Sequence, residues 1–360
     1  MDSTPMNRRA ACHALAQHGL IASAAGLAAL GCSPSATRSS ITTTSTNSAQ
    51  NKALMANSTN STRATDCTII STWAHGMPAN AAALPLLLRG ASALDAVEAA
   101  ARVVESECPD RSVGLGGMPD RDGIVTLDAA IMTDDNRAGS VVFVRGVAHP
   151  ISLARMVMER TPHVMLAGDG AVQFARAQGV EILRDARSPQ ADAAWRAWLL
   201  EKKYEPQISV ENHDTISILA LDAQGHLAAA STTSGLAFKM HGRIADSPII
   251  GAGIYVEPGV GGAVCTGLGE MVIRTLGAFV ATDAMRRGAT AQEACVEAID
   301  RIVKKNGVDP KTYQVGMLTL KHDGTTGAYA VQTGFNYAIG RVHGDAISNT
   351  LHDANSLIPA

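Results

Sequence analysis

Two pairs of apolar runs in the second half of the chain are each joined by a short polar turn that contains glycine. Residues 216–221 and 226–231 flank one turn, and residues 314–320 and 327–332 flank the other. Apolar runs of this length on either side of such a turn are typical of β-hairpins. Antiparallel β-sheet must therefore form part of the fold.

Helical patterns alternate with the strands along the chain. Ser92 begins a sequence that resembles a capping box, and the apolar residues after it recur with helical spacing. Residues 186–207 are charged, contain tryptophan and show no clear period, so they predict an irregular, solvent-facing segment. Further helices are predicted at residues 152–160, 171–178, 270–287 and 291–305, and further strands at 68–72, 124–131, 140–147 and 164–167. Strands and helices in both halves favour an α+β fold with two sheets between layers of helices.

Composition limits the class of partner. The 360 residues are 46% hydrophobic, enough for one large or two medium domains. The formal net charge is −3 and there is no lysine- or arginine-rich run, so a nucleic-acid partner is not expected. The six cysteines lack the spacing of metal ligands, and no metal site is predicted. A disulfide between Cys67 and Cys108 can be neither deduced nor excluded.

The first residues have the order of an export signal. Residues 1–32 carry two adjacent arginines, a short, weakly apolar stretch and the sequence ALGC, which ends at Cys32. The apolar stretch is too short to span a bilayer, and ALGC resembles a bacterial lipoprotein cleavage box. The paired arginines also resemble part of a twin-arginine signal. Residues 33–66 are rich in Ser and Thr and predict a solvated linker.

The sequence ENHDTISILALD, residues 211–222, places a threonine between a polar turn and a strand. A threonine hydroxyl is a weak nucleophile and needs a base to accept its proton. His213 lies two residues before Thr215 and is one candidate. Cleavage of the bond before Thr215 would supply another, because the freed α-amine has an ordinary pKa of about 7.7–8.0. The residues alone leave both routes open.

Several motifs around this threonine carry a family resemblance. They are STWAHG (71–76), SVGLGGMPDRDGIVTLDAAIM (112–132), HDTI (213–216), TTSG (232–235), HGRIADSPIIGAG (241–253) and TGLGE (266–270). In this order, over residues 68–340, the chain resembles the glycosylasparaginase (aspartylglucosaminidase) family of N-terminal nucleophile hydrolases. The resemblance implies a four-layer α-β-β-α sandwich with two mainly antiparallel sheets, and no cofactor.

The resemblance also implies self-cleavage between Asp214 and Thr215, at a site that includes His213. The products would be an α chain, residues 67–214, and a β chain, residues 215–360, which together form one fold. The two chains are expected to stay associated, as a dimer of αβ pairs.

Thr215 matches the family nucleophile, which attacks the side-chain amide of a glycosylated asparagine. Thr233 matches a second threonine near it. Thr266 and Gly267 match the oxyanion hole, where a hydroxyl and a backbone N–H face the developing negative charge. Trp73 matches a tryptophan that lines the substrate pocket. These roles are implied by the resemblance.

Arg243 matches the residue that binds the substrate α-carboxylate, and Asp246 matches the partner of the α-ammonium group. A planar guanidinium suits a free carboxylate because it can donate two parallel hydrogen bonds. The substrate is therefore expected to be a small molecule with free amino and carboxyl groups.

Two other functions are alternatives to this interpretation. Plant-type asparaginases and isoaspartyl peptidases share the fold and the amino-acid clamp, but the segment HDTI favours glycosylasparaginase. A lipoprotein that binds amino acids without catalysis is the more distant alternative, and the presence of Thr215 argues against it. Ser231 and residues 132–135 depart from the family pattern, and the residues after Gly340 match none of its motifs. The preference for the leaving group therefore stays open.

The N-terminal sequence predicts export to the periplasm of a bacterium, with lipid attachment through Cys32 left open. We expect the protein from its native host to lack the first residues. N-terminal sequencing of the protein recovered from fractionated cells tests this, and a complete N-terminus in the cytosol would contradict it.

Overall fold

The computed structural model describes residues 66–107, 112–184, 187–201 and 215–359. The predictions for residues 1–65, for Cys108 and for His213 and Asp214 lie outside these residues.

The described residues form thirteen strands and eight α-helices. The strands are β1 (Cys67–Thr72), β2 (Leu127–Thr133), β3 (Ala138–Val144), β4 (Met165–Ala167), β5 (Ile216–Leu221), β6 (Leu227–Thr233), β7 (Ile254–Glu257), β8 (Gly261–Gly267), β9 (Val315–Lys321), β10 (Thr326–Gln332), β11 (Asn336–His343), β12 (Ala346–Asp353) and β13 (Asn355–Ile358). The helices are α1 (Gly76–Leu88), α2 (Ala93–Ser106), α3 (Pro150–Arg160), α4 (Gly168–Ala177), α5 (Pro189–Glu201), α6 (Gly269–Ile273), α7 (Gly277–Arg286) and α8 (Ala291–Asn306).

The strands form two sheets. The larger has the order β12-β11-β1-β5-β6-β2-β3-β4, and the smaller has the order β13-β10-β9-β8-β7. Neighbouring strands run antiparallel except for β3 with β4 and β10 with β13. Both predicted hairpins are present, as β5–β6 and β9–β10.

Three clusters of buried apolar residues separate four layers. One cluster joins the larger sheet to helices α1–α4. A second joins the smaller sheet to helices α6–α8. The third lies between the sheets, where Leu219 and Ala229 meet Val264 and Leu318. Because successive strand residues point to opposite faces, each inner strand supplies side chains to two of these clusters. The predicted α-β-β-α sandwich is confirmed.

The polar residue Ser217 links the two sheets next to the start of β5. Its hydroxyl donates to the carbonyl oxygen of Cys265 in β8 at 2.7 Å, and it lies 3.0 Å from the hydroxyl of Ser231. All three residues are buried. A buried hydroxyl needs such partners because water cannot reach it.

The segments before and after position 215 form one sheet. Strand β1 lies between β11 and β5, and β2 pairs with β6. Separating the two halves would therefore expose strand edges and the core of the sandwich.

The prediction of an irregular segment over residues 186–207 was wrong for residues 189–201, which form helix α5. Asp192 and Arg196 form an ion pair at 2.6 Å one turn apart. Trp195 Nε1 donates to a carbonyl oxygen of a distant loop at 3.1 Å, and Trp198 stacks on Phe238 with ring centroids 4.9 Å apart. The two tryptophan contacts are tertiary, which explains why the local pattern did not predict the helix.

The single helix expected over residues 270–287 is divided into α6 and α7. Leu276, between them, has a left-handed backbone with φ 54°. The N–H of Ala278 then donates to the carbonyl oxygen of Ala252 at 3.0 Å, outside the helix. The start of α7 thus pairs with another loop instead of continuing α6.

Several elements were not expected from the sequence. Helix α1 and strands β7, β8 and β11–β13 fall in this group. The residues after Gly340 complete β11 and form two further edge strands, with β12 in the larger sheet and β13 in the smaller. The C-terminal segment therefore contacts both sheets.

Candidate active site

Thr215 lies buried immediately before β5, at the edge of the space between the sheets. Its carbonyl oxygen accepts hydrogen bonds from the hydroxyls of Thr72, at 3.3 Å, and Thr266, at 3.4 Å. Thr72 is the last residue of β1 in the larger sheet, and Thr266 belongs to β8 in the smaller sheet. Both sheets therefore position this threonine. The hydroxyl of Thr72 also accepts the N–H of Ser217 at 3.0 Å.

The hydroxyl of Thr215 has a neighbour that the sequence did not single out. Thr215 Oγ1 lies 3.3 Å from the hydroxyl oxygen of Ser247, which is also buried. Ser247 directly follows Asp246, so this contact brings the loop that carries Asp246 to the threonine. A hydroxyl at this distance can orient the nucleophilic oxygen.

Thr233 lies at the end of β6, beside Thr215. Ile216 pairs with Thr232, and the next position of this antiparallel ladder places Thr233 opposite Thr215, on the same face of the sheet. Thr233 Oγ1 accepts the N–H of Gly235 at 2.8 Å, which fixes the position of the side chain.

Trp73 and Thr266 are in direct contact. Trp73 Nε1 donates to Thr266 Oγ1 at 2.9 Å, and the indole packs edge-on against Phe335. Trp73 has a left-handed backbone with φ 63°, a conformation that costs energy for a residue other than glycine. The backbone N–H of Trp73 donates to the carbonyl oxygen of Asn336 at 2.8 Å. This bond and the contacts of the indole ring together hold the residue in this conformation.

Gly267 has φ 104° and lies against the backbone of β9. A Cβ atom there would come within 2.3 Å of the carbonyl oxygen of Gln314, so only glycine fits. The helix that follows, α6, has five residues, shorter than expected. Its dipole therefore adds less to the expected oxyanion hole than a full helix would.

Arg243 is held by Glu270, a residue for which no role was predicted from the sequence. The guanidinium donates from Nε to one carboxylate oxygen at 2.9 Å and from Nη2 to the other at 2.7 Å. Its side chain is 13% exposed. Glu270 is the last residue of the TGLGE motif. An acidic residue within that motif is the sequence signal that could have indicated a partner for Arg243. The paired hydrogen bonds fix the plane of the guanidinium, so its remaining nitrogen, Nη1, points in a defined direction.

Asp246 is a buried carboxylate with an unmet hydrogen-bonding capacity. Its Oδ2 has no hydrogen-bond partner among the described residues. Burial raises the pKa of Asp246 to about 6, although the nearby charge of Arg243 opposes this shift. Gly269 lies so close that a Cβ atom there would contact Asp246 Oδ1 at 2.4 Å. An ammonium group is the chemical partner that such an oxygen lacks.

The structure thus brings together the described residues that the sequence singled out. Thr215, Thr266 and Trp73 form one set of contacts, and Arg243 lies within electrostatic range of Asp246. His213 and Asp214 lie outside the described residues. No role at the site was predicted from the sequence for three residues that contact it: Thr72, Ser247 and Glu270.

In the described part of the chain, no three His, Cys, Asp or Glu side chains are grouped as metal ligands would be. None of the helices there is long and apolar enough to cross a membrane.

The raised pKa of Asp246 predicts pH-dependent binding of an amino acid. Below a pH of about 6 the carboxyl gains a proton and loses its attraction for an ammonium group. We expect the affinity for L-aspartate to fall by roughly tenfold or more between pH 7.5 and pH 5, the loss of one charged hydrogen bond. Titration calorimetry across this range measures the change.

Asp246→Asn is the matched control for this titration. It should bind L-aspartate weakly at both pH values, without the step near pH 6. Equal affinity of the unsubstituted protein at pH 7.5 and pH 5 would contradict the assignment.

Comparison with known proteins assigns the chain to a family. The sequence model described as "Asparaginase" matches residues 58–351. An N(4)-(β-N-acetylglucosaminyl)-L-asparaginase of Elizabethkingia miricola is 50% identical over 274 residues, which cover 75% of this chain and 80% of that protein. The mouse (Mus musculus) protein of the same name is 36% identical over 66% of this chain and 77% of its own length. A plant-type L-asparaginase of Pyrococcus horikoshii is 41% identical over 62% of this chain and 76% of its own length. With a match over most of its described residues, the chain belongs to the asparaginase family of hydrolases.

Proposed function

We propose that this hydrolase is a glycosylasparaginase that uses Thr215 as an N-terminal nucleophile. It hydrolyses the side-chain amide of N-acetylglucosaminyl-asparagine to aspartate and the amino sugar. The observation that carries the proposal is the position of Thr215, held by Thr72 and Thr266 and reached by the loop that contains Asp246. The 50% identity to the Elizabethkingia protein supports the choice of substrate.

Activation begins with cleavage of the chain by itself. The Thr215 hydroxyl attacks the carbonyl carbon of Asp214, the C–N bond breaks, and the acyl group moves from nitrogen to oxygen. Water then hydrolyses this ester, which leaves a carboxylate on Asp214 and a free α-amine on Thr215. The shift from amide to ester is uphill, and backbone strain of about 1–3 kcal/mol in the folded precursor would assist it. Ser247, 3.3 Å from Thr215 Oγ1, is placed to orient the attacking oxygen.

The α-amine then acts as the base in turnover. It accepts the proton of the Thr215 hydroxyl, directly or through a water molecule, as the oxygen attacks the substrate amide carbon. The hydroxyl of Thr266 and the N–H of Gly267 stabilise the oxyanion. The proton passes to the departing amine, an aspartyl ester forms, and water hydrolyses it to release aspartate. Trp73 fixes the Thr266 hydroxyl through the bond from its indole nitrogen.

The amino-acid end of the substrate binds to the clamp formed by Arg243 and Asp246. Glu270 occupies Nε and one hydrogen of Nη2, so the α-carboxylate binds at the free end of the guanidinium, to Nη1 and the second hydrogen of Nη2. The α-ammonium group supplies the partner that Asp246 Oδ2 lacks. The carboxylate and the ammonium group of the substrate therefore each meet a protein side chain of opposite charge.

The two chains produced by cleavage stay associated as one folded unit. Strand β1, from the first chain, lies between β5 and β11, both from the second, and this sheet holds them together. From the family resemblance we also propose a dimer of such αβ pairs as the assembly, and the residue order of positions 1–32 supports the proposal of an export signal.

Thr215→Ala tests self-cleavage and catalysis together. Without a hydroxyl at position 215 the acyl shift cannot occur, so we expect an uncut, folded and inactive chain. Intact-mass measurement of the unsubstituted protein should show a β chain that begins at Thr215 and ends at Ala360. Thr215→Cys should still cut, because a thiol can perform the same shift, and should hydrolyse substrate poorly. A fully active single chain with residue 215 still amide-linked would exclude the mechanism.

Substrate comparison distinguishes glycosylasparaginase from the alternative activity. We expect kcat/KM for N-acetylglucosaminyl-asparagine to exceed that for L-asparagine and for a β-aspartyl dipeptide by at least about tenfold, a difference of roughly 1.4 kcal/mol. The plant-type L-asparaginase of Pyrococcus horikoshii makes L-asparagine the relevant competitor. The reverse preference would assign the chain to the asparaginase and isoaspartyl peptidase branch.

A further inference from the structure

Helix α5 is the last described element before Thr215, and it lies against two loops that lead to the amino-acid clamp. Within the helix only Ala191 is buried. Burial of apolar side chains in the core therefore contributes little to the position of α5. Its two tryptophans, Trp195 and Trp198, instead contact parts of the chain that are distant in sequence.

Trp195 holds the loop of residues 119–124, which we call the support loop. Its Nε1 donates to the carbonyl oxygen of Arg121 at 3.1 Å. A Cβ atom on Gly123 would come within 2.8 Å of Trp195 Cζ2, so the indole lies directly against the backbone of this loop. Arg187 Cζ lies over the same indole, 4.8 Å from the ring centroid, and this cation–π contact helps to keep the ring in place.

The support loop is paired with a second loop, residues 236–243, which we call the clamp loop. The N–H of Phe238 donates to the carbonyl oxygen of Pro119 at 2.8 Å. The N–H of Arg121 donates in turn to the carbonyl oxygen of Lys239 at 2.9 Å. Two main-chain hydrogen bonds in opposite directions therefore fix the clamp loop to the support loop.

A pair of side chains makes a third bond between the two loops. Asp120 is buried, and its Oδ1 accepts the N–H groups of Asp122 at 3.0 Å and Ile124 at 2.9 Å. Its Oδ2 lies 2.5 Å from Nδ1 of His241. One oxygen of this carboxylate therefore organises the support loop, and the other holds the clamp loop.

Trp198 contacts the clamp loop directly. Its indole stacks on the ring of Phe238, with centroids 4.9 Å apart and planes 17° apart. Phe238 is buried and has a left-handed backbone with φ 57°. This conformation is unfavourable for a residue other than glycine and persists only where surrounding contacts retain it. The stack and the main-chain bond of Phe238 supply such contacts.

Arg243 is the last residue of the clamp loop. Its N–H donates to the carbonyl oxygen of Met240 at 2.9 Å, in a turn that also contains His241. The clamp loop thus sets the backbone of Arg243, while Glu270 binds its guanidinium. A shift of the loop would change the direction of the free end of the guanidinium even if the pair with Glu270 stayed formed.

We propose that helix α5 is a positioning element for the amino-acid clamp. Trp195 and Trp198 hold the support loop and the clamp loop, and thereby the direction of the Arg243 guanidinium. Because α5 precedes the proposed cut, the first chain contributes to substrate binding, although Arg243 and Asp246 belong to the second. The inference rests on the proposed function, because it assumes that Arg243 binds the α-carboxylate of the substrate.

The affinity for L-aspartate, measured by titration calorimetry, tests this role without turnover. Trp198→Leu and Phe238→Leu each remove one ring of the stack and keep an apolar side chain. We expect each to weaken binding by about two- to tenfold, the contribution of one aromatic pair. KM for N-acetylglucosaminyl-asparagine should rise by a similar factor. Because Thr215 is not displaced, kcat should change by less than about twofold.

Two conservative variants keep the test open even if a leucine variant does not fold. Trp198→Phe retains a ring that can stack on Phe238, so its affinity for L-aspartate should stay within about twofold of that of the unsubstituted protein. Trp195→Phe retains the ring and removes only the N–H that donates to Arg121. We expect Trp195→Phe to weaken binding by about twofold or more, the loss of one neutral hydrogen bond.

Phe174→Leu is the matched control. Phe174 lies in helix α4, also in the first chain, and packs against the cluster that joins the larger sheet to its helices. Its replacement should lower the melting temperature as the leucine variants do, while KM and the affinity for L-aspartate stay within about twofold. This comparison separates loss of positioning from loss of stability.

The double variant Trp198→Leu/Phe238→Leu measures the stack itself. A double-mutant cycle cancels the other contacts of each ring, so the departure from additivity reports their mutual interaction. We expect the double variant to bind L-aspartate about as well as the weaker single variant. Losses that multiply, unchanged affinity in both single variants, or an equal loss in Phe174→Leu would overturn the proposal. So would a fall in kcat at unchanged KM.

Measurements on the unsubstituted chain separate this proposal from the function on which it rests. If intact mass shows no cut before Thr215 and the chain does not hydrolyse the substrate, the proposed function fails. If the chain is cut and active, and the leucine variants bind L-aspartate as tightly as it does, only the role of α5 fails.

Discussion

The carbonyl oxygen of Thr215 lies between two hydroxyls that belong to different sheets. Thr72 contributes one from the larger sheet, and Thr266 contributes the other from the smaller. The geometry around the threonine therefore depends on how the sheets pack, and the bond from Ser217 to the carbonyl of Cys265 helps to fix that packing. An active site of this kind exists only after the sandwich has formed. Self-cleavage, as proposed, would follow folding for this reason.

Charge is the second constraint on the site. Five ionic side chains lie within a small, largely buried region: Asp128, Lys239, Arg243, Asp246 and Glu270. Burial of so many charges is favourable only when each has a compensating partner. Glu270 compensates Arg243 through two hydrogen bonds, and burial raises the pKa of Asp246 although the charge of Arg243 opposes this shift. The ammonium group of the proposed substrate completes this set.

Local patterns predicted some elements well and others poorly. Helix α2 was expected because Ser92 caps it, and the structure shows this hydrogen bond to the N–H of Asp95. Helix α5 was missed because its tryptophans contact distant loops, and the break at Leu276 was missed because another loop binds the start of α7. Motifs pointed to Thr215, but no local pattern indicated that Ser247 lies beside it.

The sequence by itself determined the strand-forming turns, the residue types of the site and the family to which the chain belongs. These properties are carried by short motifs and by the period of apolar residues. Only the tertiary structure decided which of these residues meet. Trp73, Thr215 and Thr266 are far apart along the chain, and the packing of two sheets brings them into contact. The raised pKa of Asp246 has the same origin, because burial is a property of the folded layers and cannot be seen in the residues on either side.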